Sequence, residues 1–184
     1  MPVLSLNIPV IETERLVLRE PREADLPAIA AFNASERAAF IGGGAANVSR
    51  DGPRGAEWAG WRIITSSLGH WLLRGFGFWT VEDRATVRPA GRVGFLHHAV
   101  WPEPELGWQV FEGFEGKGCA YEAAMAARSA GARLFGLDRV ISHIDPANAR
   151  SIRLAERMGA TVEREGEVLG KPCLVYRHPS GAAA

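Results

Sequence analysis

The stretch of this sequence best equipped for chemistry runs Glu105-Leu-Gly-Trp-Gln-Val-Phe-Glu-Gly-Phe-Glu-Gly-Lys-Gly-Cys-Ala-Tyr-Glu-Ala-Ala124. A strand-like segment, Glu105 to Val110, leads into a glycine-dense turn and then into the first turn of an Ala-rich helix. Such a joint presents unpaired backbone N–H groups, and the helix dipole adds partial positive charge at the same place. Gly116 and Gly118 carry no Cβ, so the backbone there can approach a phosphate closely. A pyrophosphate is the guest that this arrangement suits. Two familiar phosphate loops are excluded by spacing. A dinucleotide fingerprint starting at Gly116 needs Gly or Ala where Tyr121 stands, and a P-loop needs Ser or Thr where Gly118 follows Lys117.

Other reactive side chains are weaker candidates. Cys119 would sit at a helix N-terminus, which lowers a thiol pKa, but it has no base of known proximity and is read as a small filler. His97 and His98 are adjacent on a strand and point to opposite faces, so no metal is expected there. Glu163, Glu165 and Glu167 alternate along a late strand and would share one face. Asn148 is a natural helix N-cap, with Ser151 in the same first turn. The Trp58, Trp61 and Trp71 stripe is read as core.

The elements that must position these groups follow from periodicity. Ile11–Arg19 alternates as a half-buried strand, Glu23–Phe32 and Trp58–Leu73 repeat at helical spacing, and the stretch 42–55 between them is expected to be a mobile loop. Gly75–Glu82, Gly91–His98 and Glu105–Val110 form three consecutive antiparallel strands. A helix follows from Gly118 to Phe135, then a strand at Arg139–Asp145, a helix at Asn148–Met158, and strands at Val162–Glu167 and Pro172–His178. The order is that of an α+β sheet domain occupying residues 1–178, with 179–184 as a disordered tail.

Composition sets outer bounds. The 184 residues suit one domain, and 47% hydrophobic with 23% charged residues is ordinary for a globular chain. With 21 basic and 21 acidic side chains the formal charge is zero, so no nucleic-acid partner is expected. No apolar run is long enough to span a membrane, and the N-terminus lacks the basic start of a signal peptide. Two distant cysteines in no CxxC pattern point to a reduced, cytoplasmic protein.

The run Glu115-Gly-Lys-Gly-Cys-Ala120 resembles the acyl-CoA pyrophosphate loop of the GCN5-related N-acetyltransferases (GNAT), whose pattern is Gln/Arg-x-x-Gly-x-Gly/Ala. Gly118 and Ala120 match its two small positions, while Glu115 departs from the usual Gln or Arg and is expected to point outward. Asn148-Ala-Arg-Ser-Ile-Arg-Leu-Ala-Glu-Arg-Met-Gly159 is similar to the Asn-x-x-Ser-x-x-Leu-x-Glu-Lys-x-Gly helix of the RimJ/RimL-like ribosomal-protein N-terminal acetyltransferase branch. Thr13-Glu-Arg-Leu-x-Leu-Arg19 resembles the opening strand of that branch.

The resemblance implies a GNAT fold: a mixed, mostly antiparallel twisted sheet of six to seven strands flanked by about four helices. It implies acetyl-CoA as cosubstrate, no metal, and a primary amine as acceptor, either a protein N-terminus or a small molecule. Pantetheine would pair with backbone of Trp108, Gln109 and Val110 in a gap before the strand at Arg139–Asp145, and Gly116, Lys117, Gly118, Cys119, Ala120 and Tyr121 would hold the pyrophosphate. Asn148 would touch the pantetheine or thioester region. Glu105 matches a glutamate that serves as base in some members, with Glu163, Glu165 and Glu167 as alternatives. The tyrosine that many relatives use as acid is replaced by Ala155, which leaves Ser151 as the hydroxyl for the leaving thiolate. A non-catalytic acyl-CoA-binding or sensing domain on the same fold is the alternative, and a homodimer is left open.

Overall fold

Alternating apolar residues around glycines build the centre of the sheet, and the computed structural model describes residues 6–181. The strands are β1 (Ile11–Glu12), β2 (Leu16–Arg19), β3 (Phe78–Asp83), β4 (Arg88–Leu96), β5 (Glu105–Val110), β6 (Ile141–Ile144), β7 (Thr161–Val168) and β8 (Lys171–Arg177). The helices are α1 (Leu26–Ala34), α2 (Ala45–Val48), α3 (Gly55–Arg74), α4 (Cys119–Phe135) and α5 (Ala149–Arg157). They surround one eight-stranded sheet of order β1-β2-β3-β4-β5-β6-β8-β7, mixed and mostly antiparallel as expected. The count exceeds seven because Thr13–Arg15 turns the chain, splitting the expected first strand into β1 and β2.

The two faces of the sheet have different tenants. Val93, Phe95 and Leu106 face α4, whose Ala123, Ala124 and Ala127 are small enough to lie flat on the strands. At Gly131 a Cβ would come within 2.3 Å of Phe95 Cζ, so only glycine permits this approach. Each large apolar side chain buried here stabilises the fold by about 1.5–3 kcal/mol. Against the other face lie α1 and α3, joined through Ile29, Ile64 and Phe111. There Arg92 of β4 is buried beneath Ser67 of α3.

Two expectations need correction. The stretch 42–55 is not an open loop: it contains α2 and a 3-10 turn at Ser49–Asp51, secured by Gly44 N–H donating to the Asn33 carbonyl at 2.8 Å. The tail is held beyond Pro179, since Gly181 N–H and the Ser180 hydroxyl donate to Asp138 at 2.8 and 2.9 Å. Residues 182–184, the rest of the expected disordered tail, lie outside the described residues. Among the described residues no helix is long and apolar enough to cross a membrane.

Candidate active site

Every neighbouring pair in the sheet is antiparallel except β5 and β6, which run parallel and pair through Glu105 and Ile141. One residue further, a side chain replaces the backbone pairing. Ser142 Oγ donates to the Leu106 carbonyl at 2.6 Å and contacts His178 Nε2 at 2.9 Å. Beyond that point the strands separate, leaving the backbone of Gly107–Val110 without a β6 partner. This fork lies where the family resemblance implied a gap.

The loop stands at the open end of the fork. Gly116 (φ 72°) and Gly118 (φ 80°) are left-handed, and Gly118 is the N-cap of α4. A Cβ at Gly113 or Gly116 would meet nothing within 4 Å, so the loop is open to an approaching group. The N–H groups of Cys119, Ala120 and Tyr121 begin the helix beside this loop, the geometry of a glycine cradle at a helix N-terminus. Lys117 rests its ammonium over the Phe114 ring, 5.5 Å from the centroid.

This cradle is pinned from a distance. Arg15 Nη1 donates to the Lys117 carbonyl at 2.9 Å, and its Nη2 lies 2.6 Å from Glu122. Thr13 Oγ1 and Arg15 N–H also donate to Glu122, at 2.6 and 2.9 Å. The Thr13–Arg15 motif thus sets the loop's shape, a role that the sequence pattern had left unassigned. Glu115 is exposed, as expected, and Arg37 pairs with it while also donating to the Val110 carbonyl.

Glu105 lies at the closed end of the fork on the α1/α3 face, the same face as Gln109, whose amide oxygen is 3.4 Å from Arg92 Nη1. Burial pulls the Arg92 guanidinium down to about 10. Glu105 Oε2 accepts from Trp101 Nε1 at 2.6 Å and meets His143 Nδ1 at 2.7 Å. Neither partner was identified from sequence. Trp108 points to the opposite face, where its Nε1 reaches Ser151 Oγ at 3.3 Å. Asn148 caps α5 by accepting from Ser151 N–H at 3.2 Å. The structure therefore gathers Trp108, Asn148 and Ser151 beside the open fork, with Glu105 on its far side. Tyr121 is half-buried against the core, with the Arg157 guanidinium 4.2 Å from its ring centroid.

Several alternatives lose ground. A register shift between Val162 and Arg164 disrupts the alternation, so Glu163 does not line up with Glu165 and Glu167. Glu163 is bound by Arg177 at 2.9 Å, which holds its carboxyl below the usual range. Cys119 is buried, and burial pushes its thiol up, the wrong direction for a nucleophile. Trp71 is core, but Trp58 and Trp61 are not. They are 53% and 41% exposed and border a surface hollow of about 340 Å³ with Leu26, Arg54 and Glu57.

His178 ties the fork to pH. Burial, then Arg128 and Arg177, lowers its pKa to about 4, against about 6.5 in an unfolded chain. The neutral ring is therefore favoured by folding. Its contribution is complete above pH 6.5 and is lost as pH falls toward 4. Denaturant titrations should show about 2 kcal/mol less stability at pH 5 than at pH 7.5 from this residue. His178→Gln should flatten that slope; an unchanged slope would assign it to other groups.

Comparison with known proteins agrees with this geometry. The family model described as "Acetyltransferase (GNAT) domain" matches residues 15–161. A crystal structure of an acetyltransferase from Agrobacterium tumefaciens str. C58 is similar at 34% identity and TM-score 0.80, covering 97% of this chain and 98% of that one. The uncharacterized protein YkkB of Bacillus subtilis (strain 168) is 28% identical over 128 residues, 67% of this chain and 70% of that protein. A RimL ribosomal L7/L12 alpha-N-protein acetyltransferase, solved in complex with coenzyme A, shares the fold at TM-score 0.70 and 19% identity, covering 95% and 99%. The forked sheet, the glycine cradle and the match over residues 15–161 make the chain a member of the GNAT acetyltransferase family, and an enzyme of the N-acetyltransferase class.

Proposed function

We propose that the protein moves an acetyl group from acetyl-CoA to a primary amine by direct attack on the thioester. The observation that carries this reading is the fork between β5 and β6, with the N-terminus of α4 at its open end. The pyrophosphate would bind Gly116–Tyr121, where backbone N–H groups and the helix dipole favour negative charge. Pantetheine would enter the fork and take the unpaired backbone groups of Trp108–Val110, one of which can steady the oxyanion of the tetrahedral intermediate. Asn148 and Ser151 would flank the sulfur side, and Ser151 Oγ, which accepts from Trp108 Nε1, would protonate the departing thiolate. Glu105 stands on the opposite face, the side on which the incoming ammonium must give up a proton. Amine and cosubstrate thus meet from the two sides of the sheet, so no acyl-enzyme is needed.

Within the family, the Asn148–Gly159 helix and the Thr13–Arg19 strand favour the RimJ/RimL-like branch, and the shared fold with RimL fits this. The acceptor is then a protein N-terminus or a small-molecule amine. The two buried, unpaired cysteines suit work in the cytoplasm.

Thermal unfolding with acetyl-CoA, NAD and ATP tests the reading. Acetyl-CoA at 100 times its Kd should add about 2.7 kcal/mol of stability, a shift of several degrees, and the other two should add none. Thiol release in the presence of amines then separates an enzyme from a sensing domain. No shift with acetyl-CoA would overturn the cosubstrate, and binding without thiol release would favour the sensing role.

A further inference from the structure

We infer that His143, oriented by Glu105, is the group that takes the proton from the acceptor amine, so that Glu105 is a positioning residue. The inference rests on the acetyl-transfer reading above and assigns its base.

The fork decides the geometry. Glu105 still faces its parallel partner Ile141, so it marks the closed end, where no thioester can enter. His143 lies two residues further along β6, about 7 Å deeper into the open part. In the same register it stands across the gap from Gly107 and on the face that carries Glu105. At Gly107 a Cβ would come 2.8 Å from Phe78 Cζ, so only glycine lets the Phe78 ring lie against this wall of the gap. The imidazole is therefore a titratable group on the Glu105 face at the point where the strands part.

The hydrogen bonds select one tautomer. His143 Nδ1 meets Glu105 Oε2 at 2.7 Å, and an ionised carboxylate can only accept, so the ring proton sits on Nδ1. Nε2 then keeps its lone pair, and among the described residues it makes no hydrogen bond. Trp101 Nε1 fixes the same carboxylate oxygen at 2.6 Å, and its ring crosses that of His143 at 88° with centroids 6.2 Å apart. The carboxylate is thus held by one indole and itself holds one imidazole. This is the orienting arrangement that a histidine base requires.

The proton and electron balance is simple. The acceptor ammonium gives one proton to His143 Nε2, which passes it to solvent. The freed nitrogen lone pair forms the C–N bond, the C–S bond breaks, and the second nitrogen proton balances the thiolate as the CoA thiol. Glu105 stays ionised and steadies the imidazolium.

Glu105 Oε1 also lacks a partner among the described residues, so the test must separate the two groups. His143→Asn places an amide N–H near the Nδ1 position and removes Nε2. It should keep acetyl-CoA binding and lose about 10²–10⁴-fold in kcat, measured as thiol release with spermidine, an alanine-initiated tripeptide and amino-acid amides. Added imidazole should restore part of the activity of His143→Gly. Nitrogen NMR of the wild-type ring should show the proton on Nδ1. Activity of His143→Asn within about threefold of wild type would return the base role to Glu105. A proton on Nε2 would overturn the inference without an acceptor in hand. Wild-type protein that binds acetyl-CoA yet acetylates none of the three probes would sink the transfer reading, and this inference with it.

Discussion

Gly118→Val should weaken acetyl-CoA binding by at least about tenfold, because two requirements fall on one residue. The φ of 80° costs an ordinary L residue about 1–2 kcal/mol, and a β-branched one more. A Cβ there would also lie 3.3 Å from Arg15 Nη2, the guanidinium that holds Glu122. The valine would crowd both the cradle and the side chain that shapes it. Gly136→Ala is the matched control: it has φ 66°, caps the far end of α4, and its Cβ would meet nothing within 4 Å. It should lower stability and leave the Kd unchanged. Calorimetric titration of both variants checks this. Equal affinity in Gly118→Val and wild type would show that the phosphates bind elsewhere.

The largest loss of stability is expected from Asp25→Ala. Asp25 is 1% exposed and accepts from Arg19 at 2.8 and 3.0 Å, from Thr80 Oγ1 at 2.7 Å and from Arg22 N–H at 2.9 Å. Burial alone would raise its carboxyl, but Arg19 and these donors outweigh burial and hold it below the usual range. Removing the carboxylate leaves Arg19, 5% exposed, with Glu82 as its remaining carboxylate partner at 2.6 Å. Breaking a buried pair from one side costs about 3–5 kcal/mol, and Tm should fall by about 10 °C. Urea denaturation gives the value directly. A loss under about 1 kcal/mol would mean that Glu82 and water satisfy Arg19 without it.

The parts of this protein that were legible in the sequence are those governed by local rules. The strand–glycine–helix joint at Glu105–Ala124 appears where its residues predict, because left-handed glycines and a helix start are short-range features. The Asn148 cap is local in the same way. What stayed hidden depends on register. The Glu105–His143 contact spans 38 positions and exists because β5 and β6 run parallel with Glu105 opposite Ile141. No spacing rule within either segment encodes that pairing. Trp58 and Trp61 misled for a related reason. Their helical spacing fits a core, but α3 buries the stripe through Gly60, Ile64 and Trp71 and turns the two tryptophans outward.

The bonds from Thr13 and Arg15 to Glu122 also bear on how the protein is made. They join positions up to 109 residues apart, and closing so long a loop costs about 4 kcal/mol of chain entropy. Such contacts form late, once the intervening strands have met and shortened the effective loop. During synthesis the cradle cannot take its final shape until α4 has left the ribosome and found the early strand. The shape of the glycine loop is thus a property of the finished sheet and is absent from the isolated glycine segment.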